Sequence, residues 1–207
     1  MAVYHHSFIA KEGWTLLFLI FCIAAVSSYF FFFLSIPVWM LFFLVLFLLR
    51  DPHRVIPAKP LAIVSPIQGV VNSVEPFYDP YLKREASKIV IKMRWYDVFS
   101  LRSPLEGQIK QSWLVSNDKG GKIKNVFWLQ SDEHDDIVCS IGGGFLWWKP
   151  DCKINMGERI GQGQRCGFMH FGTIVELILP AMAHIEVKKG DRITSGESIV
   201  ANLIHNK

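Results

Sequence analysis

The sequence predicts a mostly β protein: a compact barrel-sandwich-like β domain with duplicated strand-turn units, preceded by an N-terminal hydrophobic helical hairpin. Three observations predict it. An apolar run from Trp14 to Leu49 holds no charged residue over 36 positions. Two turn motifs each occur twice in the rest of the chain. Short runs rich in β-branched residues recur there, with no convincing amphipathic helix between them.

Residues 1–13 read as an N-terminal cytoplasmic segment and 14–49 as the membrane hairpin. One straight span needs about 20 residues, so the apolar run is too long for one. Ser27-Ser28 and Ser35-Ile36-Pro37 offer two breaks. A hairpin gives arms of about 17 residues, fitting two tilted spans or a loop dipping into one leaflet. A cleavable signal peptide fits poorly, because the run is long and no small-residue cleavage pattern follows it. Lys11 precedes the run, and Arg50, His53, Arg54 and Lys59 crowd its exit. The positive-inside rule then puts both ends in the cytoplasm. The expected location is a bacterial inner membrane, with the soluble domain facing the cytoplasm. Trp14 and Trp39 suit interfacial anchors, although Trp39 equally suits a helix–helix contact.

Residues 50–207 are long enough for one domain with its own core. The net charge of +4 falls entirely within this part, since Lys11 and Glu12 cancel. That modest basicity suits an anionic membrane surface. It is too dilute for nucleic acid, and no nucleic-acid motif accompanies it. Ser65-Pro66-Ile67-Gln68-Gly69 is echoed by Ser103-Pro104-Leu105-Glu106-Gly107, and Gly157-Glu158-Arg159-Ile160 by Gly190-Asp191-Arg192-Ile193. Each echo reads as a turn feeding a strand, used twice. The glycines Gly157, Gly163, Gly190 and Gly196 are therefore assigned to architecture. Lys88–Met93 and Ile174–Leu179 read as strands.

Gly172-Thr173 opens the second of these strands. A hydroxyl residue after Gly can cut its own backbone. The hydroxyl attacks the preceding carbonyl, an ester replaces the amide, and elimination leaves a 2-oxoacyl group on the new N-terminus. Such a group forms Schiff bases and acts as an electron sink. A Gly-Thr at the start of a buried strand is the purely structural reading.

The order of the motifs weighs in. Leu49-Arg50-Asp51-Pro52-His53-Arg54 comes first, then Ser65-Pro66-Ile67-Gln68-Gly69. Tyr96-Asp97-Val98-Phe99 runs on to Ser103-Pro104-Leu105-Glu106-Gly107. Gly157–Gln164 and Phe171-Gly172-Thr173 close the series. In this order the chain resembles the short, bacterial-type phosphatidylserine decarboxylases over nearly its whole length. The resemblance implies a membrane phospholipid as partner and a pyruvoyl group made by self-cleavage. It also implies an Asp where this chain has Gln68, a His at Phe99 and a Ser at Thr173. Phe99 cannot move a proton, and Gln68 cannot orient an imidazolium by charge. Loss of a positioned base typically costs about 10²–10⁴-fold, and members of one catalytic unit fail together. Gln68, Phe99, Gly172 and Thr173 are therefore expected to form a degenerate site. No cofactor is expected, with pyruvoyl or 2-oxobutanoyl at Thr173 reserved for the active alternative.

Other constellations have simpler readings. Asp132-Glu133-His134-Asp135-Asp136 reads as a solvated loop rather than a metal site. His170, three residues before Thr173, would face away from it on a strand. Trp147-Trp148 with Phe145 and Leu146 fits either core or a membrane-facing patch. Cys22, Cys139, Cys152 and Cys166 lack disulfide or zinc spacing. Ile91-Lys92-Met93 is similar to the modified lysine site of biotinyl carrier domains but lacks the full motif. The expectation is an inactive, membrane-anchored member of the family with a lipid-binding or regulatory role and a protein partner or homo-oligomer. The alternatives are an active decarboxylase cleaved at Gly172-Thr173 and a biotinyl or lipoyl carrier module.

Overall fold

The computed structural model describes residues 9–10, 13–30, 32–57, 59, 61–116, 123–143, 151–152, 154–169 and 172–204. The chain divides into two compact units, residues 1–53 and 54–207.

The first unit holds two apolar helices, α1 (Trp14–Phe30) and α2 (Phe32–Leu48), of 17 residues each. Phe21 packs edge-on against Trp39 at 5.9 Å, and Trp39 Nε1 donates to Ser28 Oγ at 3.1 Å. A membrane-spanning hairpin is not supported, because among the described residues no helix is long and apolar enough to cross a membrane. The expected breaks also lie inside helices. Ser27 and Ser28 both donate to the Ala24 carbonyl, which satisfies their hydroxyls without ending α1. Pro37 sits in the second turn of α2.

The second unit is almost entirely β. Its first half contains β1 (Ala62–Val64), β2 (Gly69–Asp79) and β3 (Arg84–Lys92). Seven strands follow: β4 (Ser100–Arg102), β5 (Gly107–Ser116), β6 (Ile123–Gln130), β7 (Asp136–Gly143), β8 (Asp151–Cys152), β9 (Arg159–Ile160) and β10 (Arg165–Phe168). The chain then completes its first half with β11 (Thr173–Pro180), β12 (His184–Ile185), β13 (Arg192–Ile193) and β14 (Ile199–Asn202).

The sheets are arranged as a duplication. One curled, half-barrel sheet runs β13-β2-β3-β11-β7-β6-β5-β9, and two small sheets run β1-β14-β12 and β4-β10-β8. Strands β13, β2, β3 and β11 therefore mirror β9, β5, β6 and β7 about the β11–β7 pair. The echoed motifs occupy matching places. Ser65 Oγ donates to Ile67 O at 2.6 Å, and Ser103 Oγ to Leu105 O at 2.7 Å. Gly196 N–H donates to Ser65 O, and Gly163 N–H to Ser103 O, both at 2.8 Å. Gly190 N–H reaches Val71 O and Gly157 N–H reaches Ile109 O, again both at 2.8 Å. All four of these glycines have positive φ, from 67° to 98°, a conformation costly for residues with a Cβ. The two halves also cross-link, since Arg102 N–H donates to Pro66 O and Val64 N–H to Pro104 O.

The expected barrel-sandwich becomes one long curled sheet with two small flanking sheets. The reason is the β11–β7 pair, which joins the two halves edge to edge instead of stacking them. Ile63, Ile91, Leu101, Ile109, Leu129 and Leu177 are fully buried, and Ala86, Val126, Val138 and Ile178 form a further buried cluster. Cys139 and Cys166 are buried.

Candidate active site

Three neighbouring strands bring the expected site residues to one end of the sheet. β2 begins just after Gln68, β3 ends at Lys92, and β11 begins at Thr173. Val70, Lys92 and Ile174 lie in register across these strands. Gln68, Met93 and Gly172 are thus close in space although far apart in sequence. Met93 N–H donates to Thr173 O at 3.0 Å. Close approach demands glycine at position 69, since a Cβ there would lie 2.5 Å from Lys92 O.

Beyond Met93 the chain turns tightly, and Asp97 organises the turn. Its Oδ2 accepts the Arg94 N–H at 2.8 Å. Its Oδ1 accepts from Gln68 Nε2 at 3.3 Å and lies 3.7 Å from Arg192 Nη2. The Gln68 Oε1 in turn accepts from Arg54 Nη2 at 2.9 Å, while Arg54 Nη1 is 3.4 Å from Glu197 Oε2. An amide suits this place, because its oxygen faces a cation and its NH₂ faces an anion. Asp97 is buried, so these donors are what stabilise its charge out of water.

Phe99 is packed against another aromatic ring. It is only 6% exposed, and its ring meets Phe168 edge-on at 6.0 Å. Its carbonyl accepts the Met169 N–H at 2.6 Å. A charged or hydrogen-bonding ring placed here would need polar partners that Phe168 does not supply.

Gly172 and Thr173 form the third side. Gly172 has φ +79°, so the chain enters β11 through a left-handed turn. Thr173 pairs with Gly143 across β7 and shares the buried face with Val175, Leu177 and Leu179. A Cβ on Gly143 would stand 3.2 Å from the Gly172 oxygen. The carbonyl that a Thr173 hydroxyl would attack is thus flanked by backbone on that side. An open cleft of about 510 Å³ adjoins it, lined by Val70, Asn72, Lys92, Met93, Arg94, Trp95, Tyr96 and Gly172.

The motifs point to Gln68, Phe99, Gly172 and Thr173 as one site; Gln68, Gly172 and Thr173 lie at one end of the sheet, whereas Phe99 packs on Phe168 beyond the turn. The motifs give no site role to Arg54, Asp97 or Arg192, yet Arg54 and Asp97 hold Gln68 in place and Arg192 approaches Asp97. Their signal was present as charged residues inside the quoted motifs, but their pairing spans 14 to 95 residues and has no local pattern. Lys92 lies between β2 and β11 instead of at a free turn. The acidic run disperses: Asp132 pairs with Arg159 at 2.6 Å, while Asp136 accepts from Trp128 Nε1 and Gln130 Nε2. Among the described residues no group of three His, Cys, Asp or Glu could hold a metal ion. His170, Phe171, Phe145, Leu146, Trp147 and Trp148 lie outside the described residues.

A 2-oxoacyl group at position 173 requires a hydroxyl, an exposed attack path and a group to take the proton. The hydroxyl and the glycine-flanked carbonyl fit. Gln68 and Phe99 do not fit the third requirement, since neither side chain can accept a proton near neutral pH.

Residues 41–201 match the family model described as phosphatidylserine decarboxylase. The chain is 34% identical to a phosphatidylserine decarboxylase proenzyme of Nitrosomonas eutropha over 96% of both chains. It is 32% identical to that of Nitrosomonas europaea, also over 96% of both. With the proenzyme of Aromatoleum aromaticum it shares 31% identity over 97% of this chain and 98% of the relative. No solved structure matches it.

Proposed function

The chain belongs to the phosphatidylserine decarboxylase family, and from that premise we propose that it is a membrane-associated member that holds a phospholipid head group without self-cleavage. The observation that carries this reading is the pair of side chains at positions 68 and 99. Gln68 is a neutral bridge between Arg54 and Asp97, and Phe99 is packed on Phe168. Both are built into their surroundings, which supports the loss of a proton-handling set.

The cleft beside Gly172 retains what a head group needs. Lys92, Arg94 and Asn72 line it, and Arg192 stands at its edge against Tyr96. These groups complement a phosphodiester and its carboxylate. The relatives are proenzymes named for phosphatidylserine, which supports an amino-phospholipid as the ligand class. The basic exit from the apolar region, Arg50, His53 and Arg54, favours a β unit on the cytoplasmic side of a bacterial inner membrane. A regulatory contact with a protein partner or a second copy is compatible with a retained scaffold.

The competing reading is an active decarboxylase that cleaves at Gly172-Thr173 and carries a 2-oxobutanoyl group. The left-handed Gly172 and the retained hydroxyl favour it. One experiment separates the two. The purified chain is expected to have the intact mass of 23.7 kDa. The triple variant Gln68→Asp, Phe99→His, Thr173→Ser is expected to regain some cleavage, while each single variant stays uncut, because the three act as one unit. A wild-type fragment starting at position 173 with a blocked N-terminus would overturn the proposal, as would cleavage in Thr173→Ser alone.

A further inference from the structure

The turn between β3 and β4 carries side chains that neither the fold nor the cutting site uses. Trp95 is 62% exposed at the cleft mouth. An exposed indole of this size is unusual on a surface that meets only water, and Trp favours the membrane–water interface. Its neighbours are cationic. Arg94 Nη1 donates to Tyr96 Oη at 2.6 Å instead of to a carboxylate, so its charge remains available. The guanidinium groups of Arg94 and Arg192 lie 5.9 and 5.7 Å from the Tyr96 ring centre. Trp95 meets the same ring edge-on at 5.3 Å. Tyr96 thus holds one indole and two guanidiniums together, with Lys92 lining the same cleft. Asp97 lies beneath and offsets one of these charges, but it is buried.

We propose that Lys92, Arg94, Trp95 and Arg192 form a docking surface for an anionic bilayer, with Trp95 seated at head-group level, so that the mouth of the site opens directly onto the membrane. The inference rests on the lipid-facing reading of the cleft given above. The occupant follows from charge and chemistry. A flat anionic surface satisfies several spaced cations at once, and the indole finds the apolar–polar boundary it prefers. A protein partner would need a matching acidic patch with a pocket for Trp95. Near such a membrane each Lys or Arg contributes about 1 kcal/mol, or roughly fivefold in occupancy. Reversing the charge at Arg94 is therefore expected to weaken docking by roughly tenfold or more.

The test uses the full chain in nanodiscs of phosphatidylcholine alone and of phosphatidylcholine mixed equally with phosphatidylglycerol. Amide hydrogen exchange is read at 93–97, with the amides of β11 as an internal control of folding. Docking predicts slower exchange at 93–97 in the anionic discs only, lost in Arg94→Glu and in Trp95→Ser while β11 stays protected. Equal exchange in the two discs would overturn the proposal. So would protection by soluble glycerophosphoserine that equals that of the bilayer and survives Trp95→Ser, which would indicate a head-group site with no membrane docking. Protection that survives both substitutions would also overturn it. The mass of the same sample keeps the two readings apart. A chain cut at Gly172 sinks the uncleaved reading alone, whereas an intact chain with an unprotected loop sinks the docking surface alone.

Discussion

The two halves of the curled sheet share one backbone frame and use it differently. In the first half, Ser65-Pro66-Ile67-Gln68-Gly69 places Gln68 between Arg54 and a buried Asp97. In the second, Ser103-Pro104-Leu105-Glu106-Gly107 places Glu106 in solvent. The matching arginines diverge as well. Arg192 points at Asp97, whose side chain is 1% exposed, and Arg159 pairs with Asp132, whose side chain is 60% exposed. The serine hydroxyls, the glycine N–H groups and the strand register are the same in both. The difference teaches that the repeated turn is architecture, and that only one copy has buried a carboxylate beside the fourth residue of its motif.

The shared frame can be broken in both places at once. Gly69 and Gly107 occupy equivalent positions, and a Cβ would lie 2.5 Å from Lys92 O and 2.2 Å from Gln130 O. Backbone carbonyls cannot swing aside as a flexible side chain can. Gly69→Ala and Gly107→Ala are each expected to cost about 3 kcal/mol or more, the largest effects in this set. Chemical denaturation read by circular dichroism measures both. Free tolerance of alanine in one half would mean that the frames are less alike than their hydrogen bonds indicate.

The buried and exposed carboxylates sharpen the contrast. Asp97→Ala removes the acceptor of the Arg94 N–H and of Gln68 Nε2 in a dry site. It is expected to cost about 2 kcal/mol. Asp132→Ala breaks a surface ion pair and is expected to change stability by less than about 0.5 kcal/mol. Equal costs in the same denaturation assay would refute the claim that only one half has buried its charge.

The sequence carried the duplication plainly, because turn motifs are local and their glycines announce the positive φ they need. It carried Gly172-Thr173 as well, and the motif order located Gln68 and Phe99. It could not carry the sheet order. β11 pairs with β3 and β7 across long separations, and nothing in Thr173–Pro180 names its neighbours. The same limit hid the chain of groups from Glu197 through Arg54 and Gln68 to Asp97. Each link joins side chains that come together only when the whole sheet has curled. The apolar run misled in a specific way. Serine and proline suggested breaks, yet the hydroxyls of Ser27 and Ser28 found a carbonyl within their own helix.

The most selective comparison exchanges only the fourth residues of the two motifs. Glu106→Gln removes an exposed charge and is expected to leave stability unchanged within about 0.5 kcal/mol. Gln68→Glu keeps the shape but turns a donor into an acceptor facing Asp97 Oδ1, now 3.3 Å from the donor nitrogen. Two opposing terms then compete. Arg54, bonded to the same side chain at 2.9 Å, attracts the new carboxylate, and Asp97 repels it at similar range. The Coulomb terms nearly cancel, which leaves the lost hydrogen bond as the deciding loss, about 1 kcal/mol at neutral pH. Two facing carboxyls relieve their repulsion by sharing a proton, which raises the folded-state pKa of the pair. A raised folded-state pKa adds stability as the pH falls, so the deficit should shrink on acidification while the Glu106→Gln melt runs parallel to wild type. Thermal melts of both variants between neutral and mildly acidic pH read this directly. A Gln68→Glu chain that is more stable than wild type at neutral pH would mean that Arg54 outweighs Asp97. The neutral amide would then be dispensable, and the case for a site rebuilt around Gln68 would fall with it.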